Sequence, residues 1–249
     1  DIICVTETHL LPRLPDSIVD IPNYIVIRHD ADGNVFKHGV CCYIRNNLII
    51  DSVSQPLPNV LSFRLTQLNM HVLIVYRAPS NTTVENAAMA SFVTDFCCGK
   101  EVLVLGDFNL PAIDWADPTL HSPPLERMFL DAFLTVGLHQ WITEPTFPKS
   151  GNTLDLVLTS EPDRIGAIKV LPPLPGCDHC AISFDYVFET TPESCISRSL
   201  PPLRDWHRGR FSAAGLKLSN IDWDLELAYL NADQSFERFS TIIHEISAE

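Results

Sequence analysis

Val104-Leu105-Gly106-Asp107-Phe108-Asn109 closes an apolar run that begins at Val102. A buried strand that ends at an active site has this form. The run supplies a rigid support, the glycine permits the bend, and two polar groups emerge at the carboxyl edge. A carboxylate beside a neutral amide holds and polarises a water near a phosphate. Alone, the hexapeptide equally fits an Asp-Asn turn closing a hairpin. Further polar clusters at the ends of other apolar runs favour the active-site reading.

The chain has 249 residues, 46% of them hydrophobic, which suits one α/β domain of ordinary size with an appendage. No apolar run approaches the ~20 residues that span a bilayer. Asp1-Ile2-Ile3-Cys4-Val5 lacks the basic start of a signal peptide and reads as a strand entered midway, as in a fragment of a longer protein. Four of the eight cysteines, Cys4, Cys41, Cys42 and Cys180, lie in or beside strand-like runs, where a reduced thiol packs as a small hydrophobe. Cys177-Asp178-His179-Cys180 has CxxC spacing but lacks the second pair of a zinc ribbon. A formal charge of −14 argues against a strongly basic nucleic-acid binder, although phosphate contact is local and a bound cation reverses the local field.

Short β-rich runs dominate the first third: Ile2–Thr6, Tyr24–Arg28, Val40–Ile44, Leu48–Val53, Leu61–Leu65 and Met70–Tyr76. Asp30-Ala31-Asp32-Gly33-Asn34 marks a turn. A helix is expected over Thr83–Cys98 with Thr82 or Thr83 as its N-cap, followed by strand Val102–Leu105. A proline-rich loop, Pro111–Pro124, leads to a helix at about Leu125–Val136 that Gly137 stops. Strands follow at Thr153–Leu158, Ile165–Leu171 and Cys180–Phe188. Strands with helices inserted singly indicate an α+β fold: two packed, mostly antiparallel sheets flanked by helices. The expected organisation is a domain over 1–190, a linker over 191–202 marked by Pro192, Pro201 and Pro202, and a helical extension over 203–249. In that extension Asp222-Trp223-Asp224 caps one segment and Phe236–Ile246 forms an amphipathic helix.

Polar residues recur in a fixed order at strand ends. Glu7 follows Ile3-Cys4-Val5-Thr6, Tyr76-Arg77 follows Val72-Leu73-Ile74-Val75, and Asp107 and Asn109 come next. Asp155 then lies inside Thr153-Leu154-Asp155-Leu156-Val157, and Cys177-Asp178-His179 precedes the last strand. Over roughly residues 1–188 this set resembles the endonuclease/exonuclease/phosphatase superfamily, which includes abasic-site endonucleases, DNase I and the endonuclease domains of non-LTR retrotransposons. The retrotransposon branch is the nearest likeness. Tyr76-Arg77-Ala78-Pro79 is similar to its Tyr-Arg-Pro-Pro segment, and Thr153–Thr159 to its Leu-Asp-Leu strand. Leu203-Arg204-Asp205-Trp206 and Asn220-Ile221-Asp222-Trp223 resemble its connector toward a reverse transcriptase, of which no motif occurs here.

The resemblance implies a four-layer, DNase I-like sandwich and a role for each residue. A phosphodiester repels nucleophiles, so a cation on the phosphate, an oriented water and stabilisation of the developing charge are all needed. Glu7 is the expected Mg²⁺ ligand, with Mn²⁺ as an alternative ion and Asp178 as a second metal-side carboxylate. Asp107 would activate the water, and Asn109 would hold that water or a phosphate oxygen. His179 would donate to the phosphate, supported by Asp155; Leu154 and Leu156 argue against a turn at that aspartate. Tyr76 would offer its hydroxyl to the phosphate, against the plainer reading of a core tyrosine. Arg77 would contact the DNA backbone or stand as a solvated charge. His9, His29, His38, His71, His121 and His139 read as surface or structural.

The implied function is a metal-dependent endonuclease that nicks double-stranded DNA and leaves a 3′-hydroxyl to prime reverse transcription. Element RNA would be met only through domains beyond this chain. The expected location is the nucleus after cytoplasmic synthesis, with no membrane association. Two alternatives stay open: a phosphodiesterase or phosphatase for lipid or inositol substrates, and an inactive, truncated remnant. The pattern departs from the family in two places. The family's first strand, ending in asparagine, has no counterpart before Asp1, so weak activity or none is expected. Cys177 stands where serine is usual.

Overall fold

The computed structural model describes residues 1–30, 38–115, 117–118, 122–188, 211–228 and 230–247, and their side chains except at 211–214, 233, 244 and 247. The turn cluster from Ala31 to Asn34, the linker prolines and Leu203–Trp206 lie outside the described residues. The chain divides into two compact units, Asp1–Thr190 and Thr191–Glu249.

In the first unit the order is β1 (Ile2–Thr6), β2 (Tyr24–Asp30), β3 (Gly39–Arg45), β4 (Ile50–Ser54), β5 (Val60–Leu65), β6 (Met70–Tyr76), α1 (Thr83–Cys97), β7 (Val102–Asp107), α2 (Pro124–Thr135), β8 (His139–Gln140), β9 (Asp155–Thr159), β10 (Ile165–Pro173) and β11 (Cys180–Tyr186). Six strands make one sheet in the order β4-β5-β6-β7-β9-β8. Its pairings are antiparallel except β6 with β7, which run parallel because α1 carries the chain back between them.

Period-two alternation gives this sheet two apolar faces. Leu73, Val75, Val102, Val104, Leu156 and Leu158 pack with α1 and α2, whose Val93, Phe129 and Phe133 are buried there. Met70, Val72, Ile74, Leu103 and Val157 point the other way, toward Val40, Cys42 and Ile44 of β3 and Ile165 of β10. The layers are therefore helices, a six-stranded sheet and a second β layer. That second layer has two hydrogen-bonded pieces, β1-β3-β2 and β10-β11. Helix α1 starts with a capping box in which Thr82 and Glu85 satisfy one another's backbone amides.

The second unit contains α3 (Phe211–Ser219), α4 (Trp223–Glu226) and α5 (Ala232–Ser247). Asp222 caps α4 by accepting from the Leu225 amide, and Arg238 Nη2 lies 2.7 Å from Glu226 Oε2. Among the described residues no helix is long and apolar enough to cross a membrane.

Candidate active site

Strand register builds the centre of the site. β6 pairs with β7 so that Tyr76 lies beside Asp107, and β7 pairs with β9 so that Asp107 lies beside Asp155. Three polar residues thus form one row across adjacent strands at the end of the sheet. Each is an even number of residues from a neighbour that packs on the second β layer, Ile74, Leu103 and Val157 respectively, so the row shares that face. Glu7, just after β1, and His179, just before β11, come from the facing layer.

Gly106 makes the row possible. Its φ is 136°, and a Cβ there would lie 1.9 Å from the Val75 carbonyl oxygen. Only glycine allows β7 and β6 to approach this closely while the backbone takes that angle.

Asp107 is 1% exposed. Burial, followed by the charge of Asp155 beside it, pushes its carboxyl up to about 7. His179 Nδ1 lies 2.8 Å from Asp155 Oδ2, and Nε2 lies 4.0 Å from Asp107 Oδ2. The bond to Asp155 raises the imidazole's pKa despite partial burial. The 4.0 Å gap is too long for a direct bond. An oxygen atom at about 2.8 Å from both groups would bridge it. Ligand atoms of Asp107, Asp155 and His179 all lie within 4.8 Å of one another, a spacing compatible with a metal ion. The Phe147 ring flanks the imidazole at 4.8 Å between centroids.

Glu7 has a left-handed backbone, φ 51°, unusual for a long side chain. Its Oε1 accepts the Tyr76 hydroxyl. Burial, then this bond, raises the phenol's pKa, so Tyr76 stays a donor. Its hydroxyl therefore orients the glutamate, whereas the sequence reading directed it to phosphate. A cleft of about 380 Å³ adjoins this pair, and His9, His38, Pro79 and Ser80 complete its described wall. Two histidines read as structural thus stand beside Glu7.

Three other residues meet partners within the protein. Arg77 is 3% exposed, so it is not a solvated charge, and its donors point inward. Its Nε donates to the Phe108 carbonyl at 2.6 Å and its Nη2 to the Asn109 carbonyl at 2.5 Å. Asn109 spends its amide hydrogens inside the protein, on Asp107 Oδ2 at 2.8 Å and the Arg77 carbonyl at 3.0 Å. It therefore keeps only an acceptor oxygen for water and no donor for phosphate. Asp178 forms an exposed pair with Lys149 Nζ at 2.7 Å and is not part of the Asp107–Asp155–His179 group.

Thr146 escaped the sequence reading. It is fully buried, and its Oγ1 accepts the amides of Leu154 at 2.9 Å and Asp155 at 3.0 Å. Its carbonyl accepts the Cys180 amide at 2.7 Å. One residue thus ties the start of β9 to the start of β11, holding Asp155 near His179. The only sequence signal was a lone hydroxyl between Pro145 and Phe147.

This sandwich, with polar residues meeting at its rim, has counterparts among known proteins. Residues 70–183 match the family model described as endonuclease-reverse transcriptase. The endonuclease domain of TRAS1, a telomere-specific non-LTR retrotransposon, is similar in structure at TM-score 0.55 and 17% identity, over 67% of this chain and 79% of that one. The AP endonuclease LMAP from Leishmania major is similar at TM-score 0.58 and 14% identity, over 75% of this chain and 78% of that one. At these identities the likeness is one of fold. No curated protein sequence matches the chain.

Proposed function

We propose that the first unit is a divalent-metal-dependent DNA endonuclease that nicks one strand and leaves a 3′-hydroxyl. The observation that carries this reading is the Asp107–His179 gap, framed by a near-neutral buried carboxyl on one side and a carboxylate-supported imidazole on the other.

The residues divide the chemistry between them. Ionised Asp107 takes the proton of a water, whose second hydrogen the Asn109 side-chain oxygen Oδ1 accepts. His179, held protonated by Asp155, donates through Nε2 to a non-bridging phosphate oxygen as charge develops. Its Nδ1 is committed to Asp155, which leaves Nε2 as the nitrogen that faces Asp107 and the phosphate. Glu7 is exposed, with one carboxylate oxygen taken by Tyr76. Its other oxygen fits a hard ion such as Mg²⁺ or Mn²⁺ that keeps several waters. Such an ion, when bound, neutralises phosphate charge and supports the leaving oxygen. Glu7 lies close enough for its charge to be felt at both Asp107 and His179.

DNA is the proposed substrate because the two structures described above are named as endonucleases, one the endonuclease domain of a retrotransposon and one an AP endonuclease. The family description, endonuclease-reverse transcriptase, supports a reverse-transcriptase context. On the same proposal the 3′-hydroxyl primes copying, the second unit is a connector toward the polymerase, and the site of action is the nucleus. Supercoiled plasmid with Mg²⁺ tests the reading: relaxed circles that a DNA polymerase extends support it. Hydrolysis of a phospholipid headgroup with intact plasmid would replace it with a lipid phosphodiesterase.

A further inference from the structure

Arg77 is a buried cation at the end of β6, one residue after the Asp107–Asp155 row. Burial lowers its pKa, while the charges of Asp107 and Glu126 favour its charged form. Placing a guanidinium inside a protein is costly, and its partners indicate what it does there. Nε and Nη2 hold the carbonyls of two consecutive residues, Phe108 and Asn109. Nη1 reaches the Ala78 carbonyl and Asn86 Oδ1, each at 3.3 Å, which anchors the fork to α1. The Arg77 amide donates to the Asp107 carbonyl at 2.8 Å, and its own carbonyl accepts the Asn109 side chain at 3.0 Å.

These bonds close a ring around one turn. Asn109 sits in the left-handed region at φ 48°, which directs its carbonyl inward and folds its side chain back over β7. In that pose Asn109 Nδ2 holds Asp107 Oδ2, and Oδ2 is the oxygen that faces His179. The guanidinium's planar fork matches two adjacent carbonyls in a way that a single ammonium does not.

We infer that Arg77 is a positioning residue for the cut: its buried fork sets the 107–109 turn and so aims Asp107 Oδ2 at the His179 gap. This deepens the proposed nuclease reading and rests on Asp107 taking the water's proton. The arginine touches no DNA in this scheme.

The full chain carrying Arg77→Lys tests it by plasmid nicking with Mg²⁺ and by NMR of the Asn109 side-chain amide. Lysine keeps the charge but loses the fork, so kcat should fall about 10²-fold while KM for plasmid stays within about 2-fold. The Asn109 side-chain amide should exchange with solvent about tenfold faster as its bonds loosen. Unchanged kcat with a protected amide overturns the inference, and so does a rise in KM alone, which would make Arg77 a DNA contact. Should Arg77→Lys fail to fold, Asn86→Ala decides. It removes one anchor of the fork, and the same direction of change in kcat and amide exchange supports the inference, while neither changing overturns it. A parent chain that cuts no DNA would end the nuclease reading, while the amide signature would still decide whether the fork holds the turn.

Discussion

His179 reaches Asp155 Oδ2 at 2.8 Å through one ring nitrogen and stops 4.0 Å from Asp107 Oδ2 with the other. Two carboxylates of adjacent strands thus face opposite nitrogens of a single imidazole. The charge of Asp155 raises the pKa of both Asp107 and His179, and that direction is measurable.

The rate should depend on pH through Asp107. It must be ionised to accept a proton, and its carboxyl is pushed up to about 7. Nicking should fall about tenfold per unit below that point and level off above it. His179, raised by Asp155, supplies the basic limb, because the donor is lost once its proton leaves. Asp155→Asn removes the charge that raises both groups, so both limbs should move to lower pH together. Rate–pH profiles of parent and variant check this, and a basic limb that stays in place contradicts the assigned pair.

Tyr76→Phe should act through Glu7. Losing the hydroxyl frees the carboxylate to rotate, and removing a partner that orients a ligand typically costs about 10- to 100-fold in metal affinity. The Mg²⁺ concentration for half-maximal nicking should rise by that order, with the rate at saturating metal largely retained. An unchanged metal requirement would detach Tyr76 from the cation site.

Thr146→Val keeps shape but leaves the buried amides of Leu154 and Asp155 without their shared acceptor. The expected loss is about 2 kcal/mol in denaturant unfolding. A stability equal to the parent would show that the contact carries no weight.

Gly106→Ala should be worse. Its Cβ would meet the Val75 carbonyl oxygen at 1.9 Å with φ at 136°. Separating β6 from β7 to make room should destabilise the unit by more than about 3 kcal/mol, visible as a lowered Tm or a loss of soluble protein.

Much of this arrangement was legible in the residues alone. The apolar runs of β6 and β7 are long and end abruptly, so both strands and their terminal Tyr76 and Asp107 stood out. The capping pattern placed α1 within a residue. Register was not legible: that Tyr76, Asp107 and Asp155 share one row depends on β9 crossing beside β7, a pairing between segments 48 positions apart at Asp107 and Asp155. Asp155 begins its strand and does not lie inside it, because Thr146 captures the two amides there. Two-residue β8 carries no periodicity to read. A strand-end arginine usually faces water, and only the four inward partners of Arg77 show its burial. Asp178 looked equivalent to its neighbours in sequence, yet an exposed lysine holds it at the surface.

Cleavage of supercoiled plasmid by the parent chain and by Asp107→Ala, each with Mg²⁺ and with chelator, tests the central claim most directly. The account predicts relaxed circles with extendable 3′-hydroxyls from the parent, loss of cutting with chelator, and a fall of at least about 10³-fold in Asp107→Ala with DNA binding retained. Cutting by Asp107→Ala at the parent's rate, or DNA binding by a parent that never cuts, would contradict it.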